Sequence, residues 1–183
     1  MNRIPRRNLV IFVLLTLLGT GFDLTTKSVI FRRVGPPGSE PVSVIPNILE
    51  LRTAHNTGAL WGMGKDIPHS SLIFAALSIV AVILIVWWLF WQGAAKDFWL
   101  TLALALIMAG ASGNCYDRLR FGYVRDFVYF HVDPIGFECA IFNFADNMLV
   151  AGAVILMLLA LKPMPPIEDR PEILSAPQPS EGR

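Results

Sequence analysis

Long apolar runs alternate with polar connections along this chain. The first run goes from Leu9 to Phe22, meets Asp23, and continues as Leu24–Phe31 with Lys27 inside it. The second, Ser70–Trp91, has 22 residues without a charge, enough for a helix to cross roughly 30 Å of hydrocarbon. A third run is Phe98–Tyr116 and a fourth Ile141–Leu161. The pattern predicts four transmembrane helices, over about 9–31, 70–91, 98–116 and 141–161. In the first connection Gly35-Pro36-Pro37-Gly38 breaks the helix, and short alternations such as Ile48-Leu49-Glu50-Leu51-Arg52 follow. They predict a small β-sheet over about 42–62. Gln92–Asp97 reads as a tight turn, and 117–140 as a connection mixing charges with aromatics. The last 22 residues hold six prolines, so 163–183 reads as a disordered tail. The expected fold is an all-α membrane protein, with four transmembrane helices in one domain over 1–162 and a small β-sheet on its outer surface.

Composition agrees with the pattern. The chain of 183 residues is 54% hydrophobic and 16% charged, with a mean hydropathy of +0.55, whereas soluble domains carry about 25% charged residues. A net charge of +1 excludes the basic surface that nucleic acid needs. Cys115 and Cys139 are too few for a disulfide framework or a zinc site, and read as small half-buried side chains. Arg3, Arg6 and Arg7 precede the first run as in a signal peptide, but Leu17–Gly21 offers no small-x-small cleavage site. An uncleaved signal-anchor helix is expected. Basic residues divide seven and seven between the two sides, and the three before the first helix against two after it favour cytoplasmic N- and C-termini.

Helical rise brings the polar residues of separate spans to one depth. Asp23 lies roughly 21 Å from the N-terminal face, Asn114 roughly 24 Å and Asp146 roughly 22 Å, at about 1.5 Å per residue. The connections that hold Asn56 and Asp126 lie on the same, opposite side. Asp23 and Lys27 are i, i+4; Asn114, Asp117 and Arg118 are i, i+3, i+4; Asn143 and Asp146 are i, i+3, so each set is expected on one helix face. Asp, Lys or Arg at a helix centre costs roughly 2.5–3.5 kcal/mol each and somewhat less toward an interface, which makes these residues functional candidates facing the bundle interior. Asp23 with Lys27 fits a structural ion pair and a substrate contact equally well. Asp117 reads first as an interfacial charge. Asp146 has no cation within a turn and needs another partner or a proton. Asp126, in Val124-Arg125-Asp126-Phe127-Val128, reads alone as an ordinary loop acid.

Two carboxylates in a site of low dielectric share a proton, so that one activates water while the other polarises a carbonyl. That chemistry needs neither metal nor cofactor. Gly110-Ala111-Ser112-Gly113 has the GxSG form of rhomboid serine proteases, which need a histidine base, yet His55, His69 and His131 all fall in connections rather than spans, which disfavours that reading. These histidines also lack metal-ligand spacing. A transporter or channel subunit using Asp23, Lys27 and Asp146 is the alternative, disfavoured because the layer is off-centre and no repeat is visible.

Five motifs in order resemble the lipoprotein signal peptidase (signal peptidase II) family. They are Asp23-x-x-x-Lys27, Asn56-Thr57-Gly58-Ala59, Ala109-Gly110-Ala111-Ser112-Gly113-Asn114-Cys115-Tyr116-Asp117-Arg118, Val124-Arg125-Asp126-Phe127 and Phe142-Asn143-Phe144-Ala145-Asp146. Ala109 replaces the first glycine of the family's pair, and Leu60-Trp61 stand where Ala-Phe is common. The resemblance implies an aspartic endopeptidase of the bacterial inner membrane, with Asp126 and Asp146 as catalytic pair. It implies diacylglyceryl-modified prolipoproteins as substrates, cut before the lipidated cysteine at a site near the outer face. Asn56, Gly58, Asn114, Arg118 and Asn143 would then orient the substrate or the aspartates, beside Asp23 and Lys27. Membrane lipids and globomycin-type inhibitors are the other implied partners, and a monomer is expected.

Overall fold

The structure is a computed structural model that describes residues 4–58, 63–64 and 66–161. The predicted tail 163–183 and positions 59–62 of the predicted sheet lie outside the described residues, as does Ala59 of the second motif. Four helices, α1 (Arg6–Val34), α2 (Ser70–Phe90), α3 (Phe98–Phe121) and α4 (Phe144–Ala160), accompany four strands, β1 (Val42–Ile45), β2 (Leu49–Asn56), β3 (Val124–Val132) and β4 (Phe137–Glu138). α1, α2 and α3 are long and apolar enough to cross a membrane, while α4 is a shorter apolar helix of 17 residues.

α3 is the central helix, packed against the other three. Its inward positions are small, with Ala103, Ala105, Ala109, Gly110, Ala111 and Gly113 all buried, which lets backbones approach closely where lipid supplies no hydrophobic drive. A Cβ at Gly152 of α4 would come within 2.6 Å of Ile107 Cγ1 and 2.8 Å of the Ala103 carbonyl. Across the other side, the hydroxyls of Thr16 and Thr20 of α1 donate to the carbonyls of Ala105 and Ala109, at 3.5 and 3.2 Å. At the N-terminal end of α1, Phe12, Ile85, Leu89 and Leu104 form the apolar core. α2, by contrast, exposes Leu77, Val80, Ile83 and Leu84, an outward face suited to lipid.

Three helix boundaries depart from the pattern. α1 ends where Gly35 takes φ +102° and donates to the Phe31 carbonyl, three residues beyond the expected limit. α3 continues through Asp117 and Arg118 to Phe121, because those charges find partners inside; Gly122, at φ +81°, stops it. α4 begins at Phe144 rather than Ile141. Phe142 instead exchanges hydrogen bonds with Val128 at 2.8 and 3.0 Å, extending the sheet. Asn143 is therefore the N-cap of α4, so its expected place on one helix face with Asp146 is replaced by a capping box.

The sheet is antiparallel in the order β1-β2-β3-β4. Within the sheet expected over about 42–62, β1 and β2 are present, and the sheet is wider than predicted, since β3 and β4 come from the connection that mixes charges with aromatics. Ala54 pairs with Asp126 and Asn56 with Val124. Two connections distant in sequence are thus tied together over the C-terminal ends of α1 and α3. The expected tight turn at 92–97 contains a short 3-10 turn, Ala94–Lys96, and Asp97 caps α3 by accepting from Leu100 N–H at 2.7 Å.

Candidate active site

The polar layer is a single hydrogen-bonded network. Asn56 Nδ2 donates to Asp126 Oδ2 at 3.0 Å, and Asn143 Nδ2 to Asp126 Oδ1 at 2.6 Å. Asp146 Oδ1 accepts from Asn114 Nδ2 at 2.8 Å and its Oδ2 from the Asn143 backbone N–H at 3.1 Å. Asn143 therefore touches both carboxylates, and the Asp146 backbone N–H returns a bond to Asn143 Oδ1 at 3.1 Å. Behind this shell, Lys27 Nζ donates to Asn114 Oδ1 at 2.9 Å and pairs with Asp23 Oδ2 at 2.7 Å. Asp23 Oδ1 accepts the Ala145 backbone N–H at 2.9 Å, binding α1 to the first turn of α4. Arg118 Nη2 donates to the Gly58 carbonyl at 2.8 Å, and Gly58 N–H donates to Asn56 Oδ1 at 2.9 Å. All nine residues named from the sequence as site residues are joined here.

Asp126 is 2% exposed. Burial first, and then the charge of Asp146, push its pKa up from 3.8 to about 7, against the bonds from Asn143 and Asn56 and the positive charge of Lys27. His55 lies to one side, stacked between Phe31 and Tyr123 with centroids at 6.0 and 3.6 Å; burial lowers its pKa. His131 is engaged elsewhere, with Nδ1 2.6 Å from Asp133 Oδ1, and His69 stands just before α2 at φ 58° with no side-chain capping bond.

One expectation is corrected. Asp117 is not an interfacial charge: it is fully buried, its carboxylate held by Arg125 and 3.4 Å from Lys27 Nζ. Arg125 is buried too and also donates from Nη1 to Ser28 Oγ at 3.2 Å. The signal for Asp117 was present, since its i, i+3 spacing from Asn114 puts both on one face. Cys115 and Cys139 are free thiols, the first buried against the Ala75 carbonyl.

A cavity of about 450 Å³ leads to the network. Leu77, Ile107 and Val150 represent the three helices that wall it, α2, α3 and α4, and Asn56, Asn114, Arg118 and Asp146 form its polar end. Arg118 Nε is buried there without a partner among the described residues. Among the described residues no group of three or more His, Cys, Asp or Glu could hold a metal ion.

Apolar helices of spanning length, with a carboxylate–amide cluster at one end of the bundle and an apolar cavity leading to it, define a polytopic membrane protein with a candidate hydrolytic site. Comparison with known proteins makes the class specific. The family described as signal peptidase (SPase) II matches residues 15–162. A lipoprotein signal peptidase of Rhodopirellula baltica is 36% identical over 166 residues, covering 84% of this chain and 73% of its own. One from Streptococcus pneumoniae is 39% identical over 152 residues, covering 83% and 93%. A bacterial membrane enzyme solved by the in meso method at 2.3 Å resolution superposes with a TM-score of 0.72 at 29% identity, covering 82% of this chain and 87% of the other. The chain belongs to the signal peptidase II family. Nothing among these relatives supports the transporter or channel alternative.

Proposed function

We propose that this protein removes signal peptides from diacylglyceryl-modified prolipoproteins, cutting before the lipidated cysteine by aspartic peptidase chemistry at Asp126 and Asp146. The observation that carries this function is the pair of carboxylates joined through Asn143, Asp126 buried and raised to about 7 and Asp146 partly exposed at the polar end of the cavity. Asp126 keeps its proton up to about pH 7, beside the charge of Asp146. The ionised member takes a proton from water, and the resulting hydroxide attacks the scissile carbonyl. The protonated member donates its hydrogen bond to the carbonyl oxygen as charge develops there. Proton return to the leaving amine completes cleavage without a covalent intermediate.

The remaining site residues take supporting parts. Asn56, Asn114 and Asn143 hold the carboxylates, and Gly58 shapes the approach through its bonds to Asn56 and Arg118. Arg118, with Nε unfilled, has a donor to offer a substrate carbonyl. Asp23 and Lys27 anchor the network. The apolar cavity suits the end of a signal helix and its diacylglyceryl group, and a globomycin-type inhibitor would compete there. A single domain over 1–162 with four spans, both termini cytoplasmic and the sheet on the outer surface would bring the site to the outer face of the bacterial inner membrane, where a signal helix ends. A monomer suffices, since one chain supplies every named group.

The test is cleavage of a lipidated prolipoprotein by purified enzyme. Asp126→Asn and Asp146→Asn should each abolish turnover while leaving insertion intact, and Ser112→Ala and His131→Ala should stay active. Wild-type turnover in either aspartate variant would remove that residue from catalysis, and a dead Ser112→Ala enzyme would restore a serine mechanism.

A further inference from the structure

Asp117 is engaged on every side, yet it touches neither proposed catalytic carboxylate. Its Oδ1 accepts from Arg125 Nη2 at 2.8 Å and Nε at 3.1 Å; its Oδ2 accepts the Arg125 backbone N–H at 3.0 Å and lies 3.4 Å from Lys27 Nζ. Each partner leads to one aspartate. Arg125 directly precedes Asp126 and is locked further by Ser28 Oγ and by the Phe121 ring, 4.5 Å beneath its guanidinium. Lys27 holds Asn114 Oδ1, and the other end of that amide meets Asp146. We propose that Asp117 is the positioning residue for both members of the pair. It fixes the first residues of β3 to α3, and with them Asp126, and it joins Asp23 in holding Lys27, at 3.4 Å against 2.7 Å, where Lys27 sets the orientation of the Asn114 amide.

Both effects follow from elementary chemistry. β3 begins at Val124, two residues before Asp126, and a strand end frays unless something ties it down. The fork of Arg125 on one carboxylate, reinforced by its backbone N–H, is a directional tie that a point charge does not supply. On the other branch, an amide whose oxygen is taken by an ammonium presents its NH₂ to the next group. Asn143 Nδ2 also donates to Asn114 Oδ1, at 3.3 Å, but Lys27 makes the shorter bond at 2.9 Å, so displacing Lys27 loosens the amide whose donor faces Asp146. Displacing a reacting group by about 1 Å costs roughly 100-fold in rate.

Charge gives a second signature. The charged and titratable groups around Asp117 are Asp23 and Lys27 of α1, Arg118 of α3, His55 of β2, Arg125 and Asp126 of β3, and Asp146 of α4. Asp23 and Asp117 balance Lys27 and Arg125. Asp117→Asn leaves one positive charge uncompensated beside the pair, which favours the ionised carboxylates. Its pH–rate profile should therefore move to lower pH.

This inference rests on the function proposed above, and its test separates the two. With full-length enzyme in detergent and a lipidated prolipoprotein, Asp117→Asn should lower kcat per folded molecule about 10- to 100-fold, with KM within about twofold and the optimum shifted to lower pH. Arg125→Lys keeps the charge and loses the fork, so kcat should fall with the optimum unmoved. A wild-type kcat per folded molecule in Asp117→Asn overturns the inference, as does an activity loss in both variants matched by loss of folded protein. Should Asp117→Asn not fold, Arg125→Lys decides, and an unchanged kcat there overturns it. Asp126→Asn and Asp146→Asn run alongside. If either retains turnover, the proposed function fails; if both are dead and Asp117→Asn is fully active, only the positioning role fails.

Discussion

Asp126→Asn should make the folded protein more stable above pH 7 while removing its activity. The pKa of Asp126 rises from 3.8 to about 7, burial being the largest cause. Between those values the folded chain keeps a proton that the unfolded chain has released, so stability falls as pH rises through the window. Below pH 4 both states are protonated and the deficit vanishes; above about 7 it is complete. A displacement of about three pH units corresponds to an upper limit of about 4 kcal/mol. An amide does not ionise and escapes that penalty, but it brings another. Its NH₂ must face one of two donors, Asn143 Nδ2, now at 2.6 Å, or Asn56 Nδ2, now at 3.0 Å, and a mismatched buried donor costs about 1–3 kcal/mol. The variant should therefore be less stable than wild type at pH 4 and more stable by about 1–3 kcal/mol above pH 7. Unfolding in detergent, followed from pH 4 to 9 for both proteins, measures the crossing. A difference that is independent of pH, or that turns against the variant as pH rises, would refute the account of Asp126.

Three other outcomes are expected. Asp23→Ala and Lys27→Ala, which break a fully buried pair at 2.7 Å, should each cost about 3–5 kcal/mol, with partial recovery in the double variant; strictly additive losses on unfolding would show that the two do not interact. Gly113→Ala should lower Tm sharply because its Cβ would press on Asp23 Oδ2, whereas Gly21→Ala, with nothing within 4 Å, should leave Tm unchanged. Asn143→Ala loses the N-cap of α4, worth about 1 kcal/mol, together with the 2.6 Å bond to Asp126. Steady-state assays should show it far more damaged in kcat than in Tm.

The helices and the common depth of the polar residues were legible because a membrane leaves so few options: apolar runs must be helical, and rise per residue then fixes depth. Asp23, Asn114 and Asp146 were placed in one layer by that reasoning, and Lys27 does link Asp23 to Asn114. β3 was not legible. A strand with one face covered alternates in polarity, but Val124, Arg125, Asp126 and Phe127 are all buried. Helices α1 and α3 meet one face near Arg125, and α4's cap residue meets Asp126 on the other, which erases the period of two. Its main partner, β2, lies some 70 residues earlier, beyond the reach of any local pattern. The start of α4 was missed for a related reason, since Ile141-Phe142 is as apolar as the helix that follows and only the tertiary bond to Val128 assigns it to the sheet.

The division of labour among the charges explains why the pair can hold a proton. Every oxygen of Asp126 and Asp146 with an assigned bond receives it from an amide: Asn143 and Asn56 for one, Asn114 and the Asn143 backbone for the other. The cations stand one shell back and are spent on other acceptors, Lys27 on Asp23 and Asn114, Arg125 on Asp117, Arg118 on the Gly58 carbonyl. A Lys or Arg bonded directly to Asp126 would drive its pKa below the ordinary carboxylate range. Both carboxylates would then ionise, and no proton would be left to meet a substrate carbonyl. Amides supply orientation with little charge, so burial and the neighbouring carboxylate win and Asp126 rises to about 7. Asp23 and Asp117 are needed for the same reason. They offset Lys27 and Arg125, so that of the three bracing cations only the charge of Arg118 is left without an acid of its own and less positive charge reaches the pair.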